Sequence, residues 1–505
     1  MTSAEPSAGS SVDTTASLPP QLDLIAGEWV EPAQVRLDTT GTARWIEHAS
    51  NGAPAQQQRA TDAGAVERAL ASADAVHRSG EWQATPIDER ADRLEAMADE
   101  LERRVPEVAT LESATTGAVI GVTSMLGFIL HGAFRLAAAQ LRDGVLARRF
   151  DGPTGIDVEV DRIGWGPALL LCPWNAPAPM AAHKAASALA AGCPVIVKPP
   201  ERAPHGSAAI GHAAMAAGLA PGLVQVVHGG PEVAGPVMAD RRIRAVSFTG
   251  GVVGGRAVAH ACAEGLKPAQ LELGGHSPLL VLDDADPDVV AEAAVGLLTT
   301  LNGQWCRALG RLLLPASRSG EYLDAIEGAL GGVRIGDPLD PDVDMGPIVH
   351  SEHLALLGDL VSDLEGVGGT VLAPSKLPDG PGNWMSPTLV TGLEPGRTVD
   401  EMFGPVAAVH SYDTVDDAVA LANGTEYGLE AYVVGADVDA AMAVGRRVHA
   451  GGVKINGVSP MSLNLMAPRP AFGLSGLAEE GTAETIWFFA GNRVVGVEGS
   501  LGAGR

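Results

Sequence analysis

A chain of 505 residues is longer than one hydrophobic core organises, so two or three domains are expected. Its 46% hydrophobic and 19% charged residues are an ordinary balance for a folded chain. A formal net charge of −27 argues against nucleic acid or an anionic membrane surface as a partner, because either would repel it.

Residues 1–18, rich in Ser, Thr and Ala, lack the charged start and apolar run of a signal peptide and read as a disordered tail. No stretch offers about 18 uninterrupted apolar residues, so no membrane span is expected and a cytoplasmic location is the default. Residues 65–105 read as two amphipathic helices around a Gly- and Pro-marked loop, with Leu94, Met97 and Leu101 on one face of the second. From 164 to 275, short apolar runs alternate with helical stretches: "PALLLC", "PVIVK", "VQVV", "AVSFT" and "QLEL". Apolar strands without strict alternation, joined by helices, imply a parallel sheet covered on both faces.

A further cycle starts with "PLLVL" (278–282). Its helix puts Val290, Ala294, Leu297, Leu298 and Leu301 on one face, Asn302 and Gly303 end it, and "RLLLP" resumes as a strand. Two alternating stretches, "GIDVEVDRI" (155–163) and "NRVVGV" (492–497), belong to neither unit and invite pairing with another chain, so a homodimer or homotetramer is expected. The reading is an α/β protein. The domain division is 19–141 with 163–275 for a cofactor domain, 276–482 for a catalytic domain, and 142–162 with 483–505 for oligomerisation strands.

The four cysteines, Cys172, Cys193, Cys262 and Cys306, are far apart, and none has metal-ligand spacing to histidine, so no metal site or disulfide is expected. Cys306 sits in "LNGQWCRALGR", a tight helix-to-strand connection where backbone N–H groups can be free. Taken alone, it reads as a packing residue as readily as a nucleophile.

Six segments occur in order: "PWNAP" (173–177), "VIVKPPE" (195–201), "SFTGG" (247–251), "LELGG" (271–275), "GQWC" (303–306) and "EMFGPV" (401–406). Together they resemble the aldehyde dehydrogenase superfamily, in its hydrolytic, acid-forming branch, from about residue 24 to the C-terminus. The resemblance implies a Rossmann-type parallel-sheet cofactor domain, an α/β catalytic domain and a small β element for oligomerisation. It implies Cys306 as nucleophile, because an aldehyde loses hydride readily only after a nucleophile has made its carbon tetrahedral. Asn175 is implied as the oxyanion donor, Glu272 as the base that activates water against the resulting thioester, and Glu480 as a proton relay.

For the cofactor, the same resemblance implies Lys198 and Glu201 on the adenosine ribose. A carboxylate there repels a 2′-phosphate, so NAD is expected over NADP. Phe248, Thr249, Gly250, Gly251 and Gly255 are implied at the pyrophosphate and its helix N-terminus, with Leu273, Gly274, Glu401 and Phe403 at the nicotinamide end and Trp174 as a wall. Gly251 stands where a serine is usual, which removes one hydroxyl contact. The C-terminal family motif is shortened to "PAFGLSG" (470–476), and Glu479 replaces a common arginine.

The substrate pocket is assigned to Ala176, Met180, His183, Trp305, Arg307 and Asn456. Ala176 and His183 replace larger or aromatic residues and widen the entrance. Trp305 and Arg307, flanking the thiol, are expected to face the substrate, which suggests a bulky or carboxylate-bearing aldehyde. The alternative for Arg307 is a protein carboxylate as partner. Thiol esterase activity and a non-catalytic relative of the fold are the competing readings; Cys306, Glu272 and Asn175 retained together speak against the second.

Overall fold

The structure, a computed structural model, describes residues 18–150 and 158–497. All but the last residue of the expected tail, the first three residues of the 155–163 strand, and 498–505 lie outside the described residues.

An eight-stranded sheet runs in the order Glu28–Val30, Asp23–Ile25, Val224–Val226, Val195–Lys198, Ala168–Leu171, Ala245–Thr249, Ala269–Glu272 and Gly476–Leu477. The five strands from Val224–Val226 to Ala269–Glu272 are parallel, and the outer ones antiparallel. Their lack of polar alternation has a direct cause. Leu170 and Val197 enter one core while Leu169, Leu171 and Ile196 enter another on the opposite face, so both faces of each strand are dry.

The helix expected to stop near 105 runs from Ile87 to Thr116, through Pro106. Proline forfeits one backbone hydrogen bond, but Leu94, Met97, Leu101 and, past the proline, Val108 share one buried stripe, and that burial outweighs the loss. The stripe packs on helix Ile120–Arg142, the one described helix long and apolar enough to cross a membrane, with mean hydropathy 1.4. Here Leu130, Phe134 and Leu141 of that helix are buried in the same core.

A seven-stranded sheet follows, ordered Thr370–Leu372, Thr388–Thr391, Val406–Tyr412, Leu309–Pro315, Ser277–Val281, Glu430–Val434 and Gly452–Ile455. The chain crosses from one sheet to the other between Glu272 and Ser277, so the carboxyl end of a strand in the first sheet faces the loop that feeds Leu309–Pro315 in the second. Ligands of open α/β sheets settle in such crevices. The two stretches that belong to neither sheet pair with each other, antiparallel from Ala490↔Gly164 to Gly496↔Val158, with Ala147–Phe150 as third strand. Helix Thr482–Phe488 precedes the last of them.

Candidate active site

The loop that carries Cys306 is built on unusual backbone. Helix Pro287–Thr299, capped by Asp286, gives way to three successive left-handed residues, Leu301 (φ 49°), Asn302 (φ 57°) and Gly303 (φ 69°). A leucine in that region is uncommon, and it is held by its neighbour. The Asn302 amide donates to the carbonyls of Gly117 (2.7 Å) and Pro347 (2.9 Å) and accepts from the Gly346 N–H (2.9 Å). At Gly303 a Cβ would collide with Pro405. The hinge is therefore fixed from three directions, and Cys306 three residues on is held with it.

Cys306 is partly exposed, and the other three cysteines are buried. Its thiol shares the end of one cleft with the Glu272 carboxylate. Burial, reinforced by the neighbouring Glu272, pushes the thiol well above its ordinary range. Burial and then Glu480 raise the Glu272 carboxyl as well, while Arg307 pulls both groups back down. Asn175 precedes helix Pro177–Ala191 and donates one amide hydrogen to the Gln304 carbonyl at 2.9 Å, which ties it to the nucleophile loop. The Gln304 side chain accepts from the Val349 N–H at 3.0 Å. Glu112, fully buried, accepts from the Ala178 N–H at 2.6 Å and so caps the same helix; burial lifts its carboxyl to about 8.

Glu480 lies behind Glu272. It is 4% exposed and sits 3.2 Å from the Lys184 ammonium and 3.6 Å from the Arg469 guanidinium. Burial opposes its charge, but Lys184, Arg469 and His183 hold its carboxyl down at about 2. Lys184 also donates to the Ser247 hydroxyl (2.7 Å), which in turn donates to Gln270 (2.9 Å).

A cleft of about 630 Å³ runs from Cys306, Glu272 and Asn175 to Lys198 and Glu201. Trp174, Phe248, Thr249, Gly250, Gly251, Leu273, Gly274, Glu401 and Phe403 line it, as the resemblance implies; Gly255 stands behind, where a Cβ would strike Leu273. Lys198 donates to Glu201 (2.8 Å) and to the Gly229 carbonyl (2.9 Å). Burial works against charge on Glu201, yet Lys198 keeps its carboxyl below the ordinary value. Helix Val252–Glu264 opens on Gly251 with no side-chain cap, so its first N–H groups point to the cleft, and the Thr249 hydroxyl is buried without a partner. Those features fit the diphosphate of a dinucleotide. Glu401 accepts from the Gly275 N–H (2.9 Å) and lies so close over Gly274 that no Cβ fits there; burial lifts it to about 8.

Two histidines of the cleft lie outside the motifs. His350 and His353, at the start of helix Ser351–Gly366, stand with Trp174 and Phe403 in one aromatic group whose ring centroids are 5.3–6.4 Å apart. His350 accepts from the His353 N–H at 3.1 Å, and burial pushes it down to about 2. The His353 imidazole donates to the Phe403 carbonyl at 2.8 Å. The only signal in the sequence is the spacing of "HSEH", which a solvated helix start would share.

Apart from the cleft, Met180 and His183 line a second cavity of about 350 Å³ with Phe128, Ile129, Leu136, Met461 and Leu465 among its walls. Burial pushes His183 down to about 3, and its Nε2 accepts from Arg469 at 3.0 Å. Ala176 packs beside this cavity in a cluster with Ile129 and Met461. The other three pocket residues are placed differently from expectation. Trp305 is buried in that same cluster, its indole N–H donating to the Leu297 carbonyl (3.3 Å), because a side chain of its size gains more in the core than at an entrance. Arg307 turns to Glu430, 2.9 Å away, since a buried guanidinium requires a counter-charge. Asn456 is exposed, left-handed (φ 52°) and locked to Gly435, its side-chain amide accepting from the Gly435 N–H (3.0 Å) and donating to the Gly435 carbonyl (2.9 Å).

Comparison with known proteins places this geometry. The profile of the Aldehyde dehydrogenase family matches residues 37–495. Geranial dehydrogenase of Castellaniella defragrans is 32% identical over 466 residues, covering 92% of this chain and 95% of that one. Among solved structures, an NAD-dependent aldehyde dehydrogenase from Sinorhizobium meliloti superposes with a TM-score of 0.90 at 27% identity, over 98% of this chain and 97% of that one. Betaine aldehyde dehydrogenase from Staphylococcus aureus, in complex with NAD+, gives 0.88 at 26% identity over 94% of each chain. On the matched profile and on these relatives, the chain belongs to the aldehyde dehydrogenase family.

Proposed function

We propose that the protein oxidises an aldehyde to a carboxylic acid with NAD, through a covalent thioester on Cys306. The observation that carries this is the Cys306 thiol together with Glu272 and the Asn175 amide, at one end of a cleft shaped for a dinucleotide. The cofactor, when bound, accepts the hydride. The chain's own groups do the rest. Cys306 sulfur adds to the carbonyl carbon, and the oxyanion that develops meets the second Asn175 hydrogen, the one Gln304 leaves free, together with the Cys306 N–H. Once the carbon is an acyl group on sulfur, Glu272 takes a proton from water so that hydroxide attacks and the acid leaves. Glu480, kept ionised by Lys184 and Arg469 behind Glu272, acts through its charge: it raises the Glu272 carboxyl and so makes it a stronger base, while its own low value makes it a poor acceptor for an onward relay. Lys198 and Glu201 hold the adenosine ribose, and the Glu201 carboxylate favours NAD over NADP.

The substrate we infer is a bulky, uncharged aldehyde. The second cavity is walled mainly by aliphatic, methionine and aromatic side chains, its two arginines already face carboxylates, Arg135 those of Asp99 and Glu102 and Arg469 that of Glu480, and Arg307 is taken by Glu430. Assembly as a homo-oligomer through the three-stranded sheet and a cytoplasmic setting complete the reading. The test follows NADH absorbance with NAD and a panel of aldehydes from short to bulky, charged and neutral. Cys306→Ala is expected to form no NADH; full activity in that variant ends the mechanism. Preference for short or carboxylate-bearing aldehydes overturns the substrate assignment.

A further inference from the structure

The end of helix Ile87–Thr116 reaches both halves of the reacting site. Helix Pro177–Ala191 begins just after Asn175, with the run "APAPM" from 176 to 180. Ala176 gives it no side-chain cap, and Pro177 and Pro179 carry no N–H, so Ala178 has the one backbone donor among the first three residues of that helix. The Glu112 carboxylate takes that donor at 2.6 Å. A second helix start makes room for it: at Gly206, in the first turn of His205–Ala216, a Cβ would stand 2.6 Å from the Glu112 oxygen. Further along, where helix Ile87–Thr116 ends, the Gly117 carbonyl accepts from the Asn302 amide at 2.7 Å, in the hinge of the nucleophile loop. A Cβ on Gly117 would collide with the Pro347 carbonyl, which Asn302 also holds. Between the two contacts, the Ser113 and Thr123 hydroxyls bond at 2.7 Å and fasten the turn to helix Ile120–Arg142.

We propose that this helix end is the common mount of the two oxyanion donors, and that Glu112 is a positioning residue for Asn175, acting through the Ala178 N–H. This rests on the reading of Asn175 and the Cys306 N–H as those donors. The two sit on separate stretches of chain, and an oxyanion hole works only when both are held within about 0.5 Å of the productive geometry. Gln304 pins the amide end of Asn175 at 2.9 Å. Its backbone end joins the helix through Ala176 and Pro177. The proline ring fixes its own torsion and restricts the residue before it, so a shift at Ala178 is passed back to Asn175. Glu112 and Gly117 are spaced about 7–8 Å along the axis of one helix. That helix keeps the spacing of its two contacts, and with it the spacing of the donors. Glu112 does not line the cleft, so its effect passes through the helix start alone.

The experiment compares two reagents on the purified protein, each attacked by the Cys306 sulfur and neither needing NAD. p-Nitrophenyl acetate acylates the sulfur through a tetrahedral oxyanion and releases p-nitrophenolate; iodoacetamide alkylates it by displacement of iodide, with no oxyanion. The other three cysteines are buried, which isolates the signal. Glu112→Met is expected to slow the acylation burst about ten- to hundredfold, the cost of misplacing a reacting group by about 1 Å, and to leave alkylation within about twofold. Burial lifts the Glu112 carboxyl to about 8, so near neutral pH the amide of Glu112→Gln is a fair substitute and restores most of the burst. In an Asn175→Ala background, Glu112→Met should cost less than about twofold more, because its effect runs through Asn175. A merely structural role would slow both reagents together or add its full loss in that background. Either result, or a wild-type burst in Glu112→Met, overturns the proposal. If Glu112→Met does not fold, Gly206→Ala decides: its Cβ crowds the carboxylate off the Ala178 N–H and should slow acylation without slowing alkylation, and an unaltered burst there overturns the proposal. Failure of the wild type to acylate, or an equal burst in Asn175→Ala, ends the oxyanion reading and the proposal with it. A slowed Asn175→Ala beside a normal Glu112→Met overturns the proposal alone.

Discussion

Lys184 is a buried charge whose loss should be costly. It is fully buried, 3.2 Å from Glu480 and hydrogen-bonded to Ser247 at 2.7 Å. Lys184→Met keeps the volume and removes the charge, which strands Glu480 with Arg469 alone. Breaking a buried pair from one side costs about 3–5 kcal/mol. Arg469 is 3.6 Å away and about a quarter exposed, so its compensation is partial and the loss falls near 3 kcal/mol, at the low end of that span. Ser247 keeps its bond to Gln270 at 2.9 Å and adds little to the cost. The assay is a double-mutant cycle by urea titration with tryptophan fluorescence: wild type, Lys184→Met, Glu480→Leu and both together. Coupling of at least about 2 kcal/mol is expected. Acid titration supplies the sign. Glu480 is held down at about 2 against an ordinary 4.5, so the pair's contribution is complete above pH 4.5 and disappears as pH falls toward 2. Lys184→Met should flatten that acid limb. Additivity of the two single losses within about 0.5 kcal/mol, or an unchanged acid limb, would refute the reasoning.

Glu272→Gln should retain an NADH burst of one equivalent per active site while steady-state turnover falls roughly 10²–10⁴-fold, checked by stopped-flow absorbance. Because burial and Glu480 raise the Glu272 carboxyl, wild-type turnover should climb with pH through a midpoint above the ordinary 4.5, and the residual rate of the glutamine variant should not. Asn175→Ala should lower kcat about 10²–10³-fold with the fold intact by circular dichroism, since one oxyanion donor is lost. Gly251→Ser places a Cβ where nothing lies within 4 Å and adds a hydroxyl at the open helix start. NAD should then bind about five- to tenfold tighter by calorimetry.

What the residues announced in advance depended on how local their chemistry is. Cys306, Glu272 and Asn175 sit in short runs whose order is itself informative, and the cleft gathers all three. The parallel sheet was legible because strands buried on both faces leave unbroken apolar runs such as "ALLL". Arg307 stayed open between a substrate carboxylate and a protein one, and the second holds; its partner could not be named because it lies 123 positions away, where the only trace is a glutamate heading an apolar strand. Trp305 obeyed burial rather than proximity to the thiol. The helix end at Pro106 was a sound local expectation overruled by a stripe that includes residues on both sides of it. His350 and His353 reach the cleft only because the fold lays their helix against Trp174, and no spacing rule encodes that.

The shortened run near the C-terminus has a mechanical consequence. Phe472–Gly473 is bonded to Tyr427–Gly428, and Gly476–Leu477 to Leu271–Glu272. A tether this short, bonded at both ends, ties the Leu271–Glu272 end of the first sheet to the two-residue strand just before Glu430–Val434, and the two sheets are expected to separate least there. Glu272 lies on the strand beside the tether, and the strand ending at Lys198 is three places further out, an arm of about 14 Å. Any breathing of the cleft is then expected to be smallest at Cys306 and Glu272 and largest at Lys198 and Glu201. The tether guards the distance on which the reaction depends, and a dinucleotide can come and go by its far end.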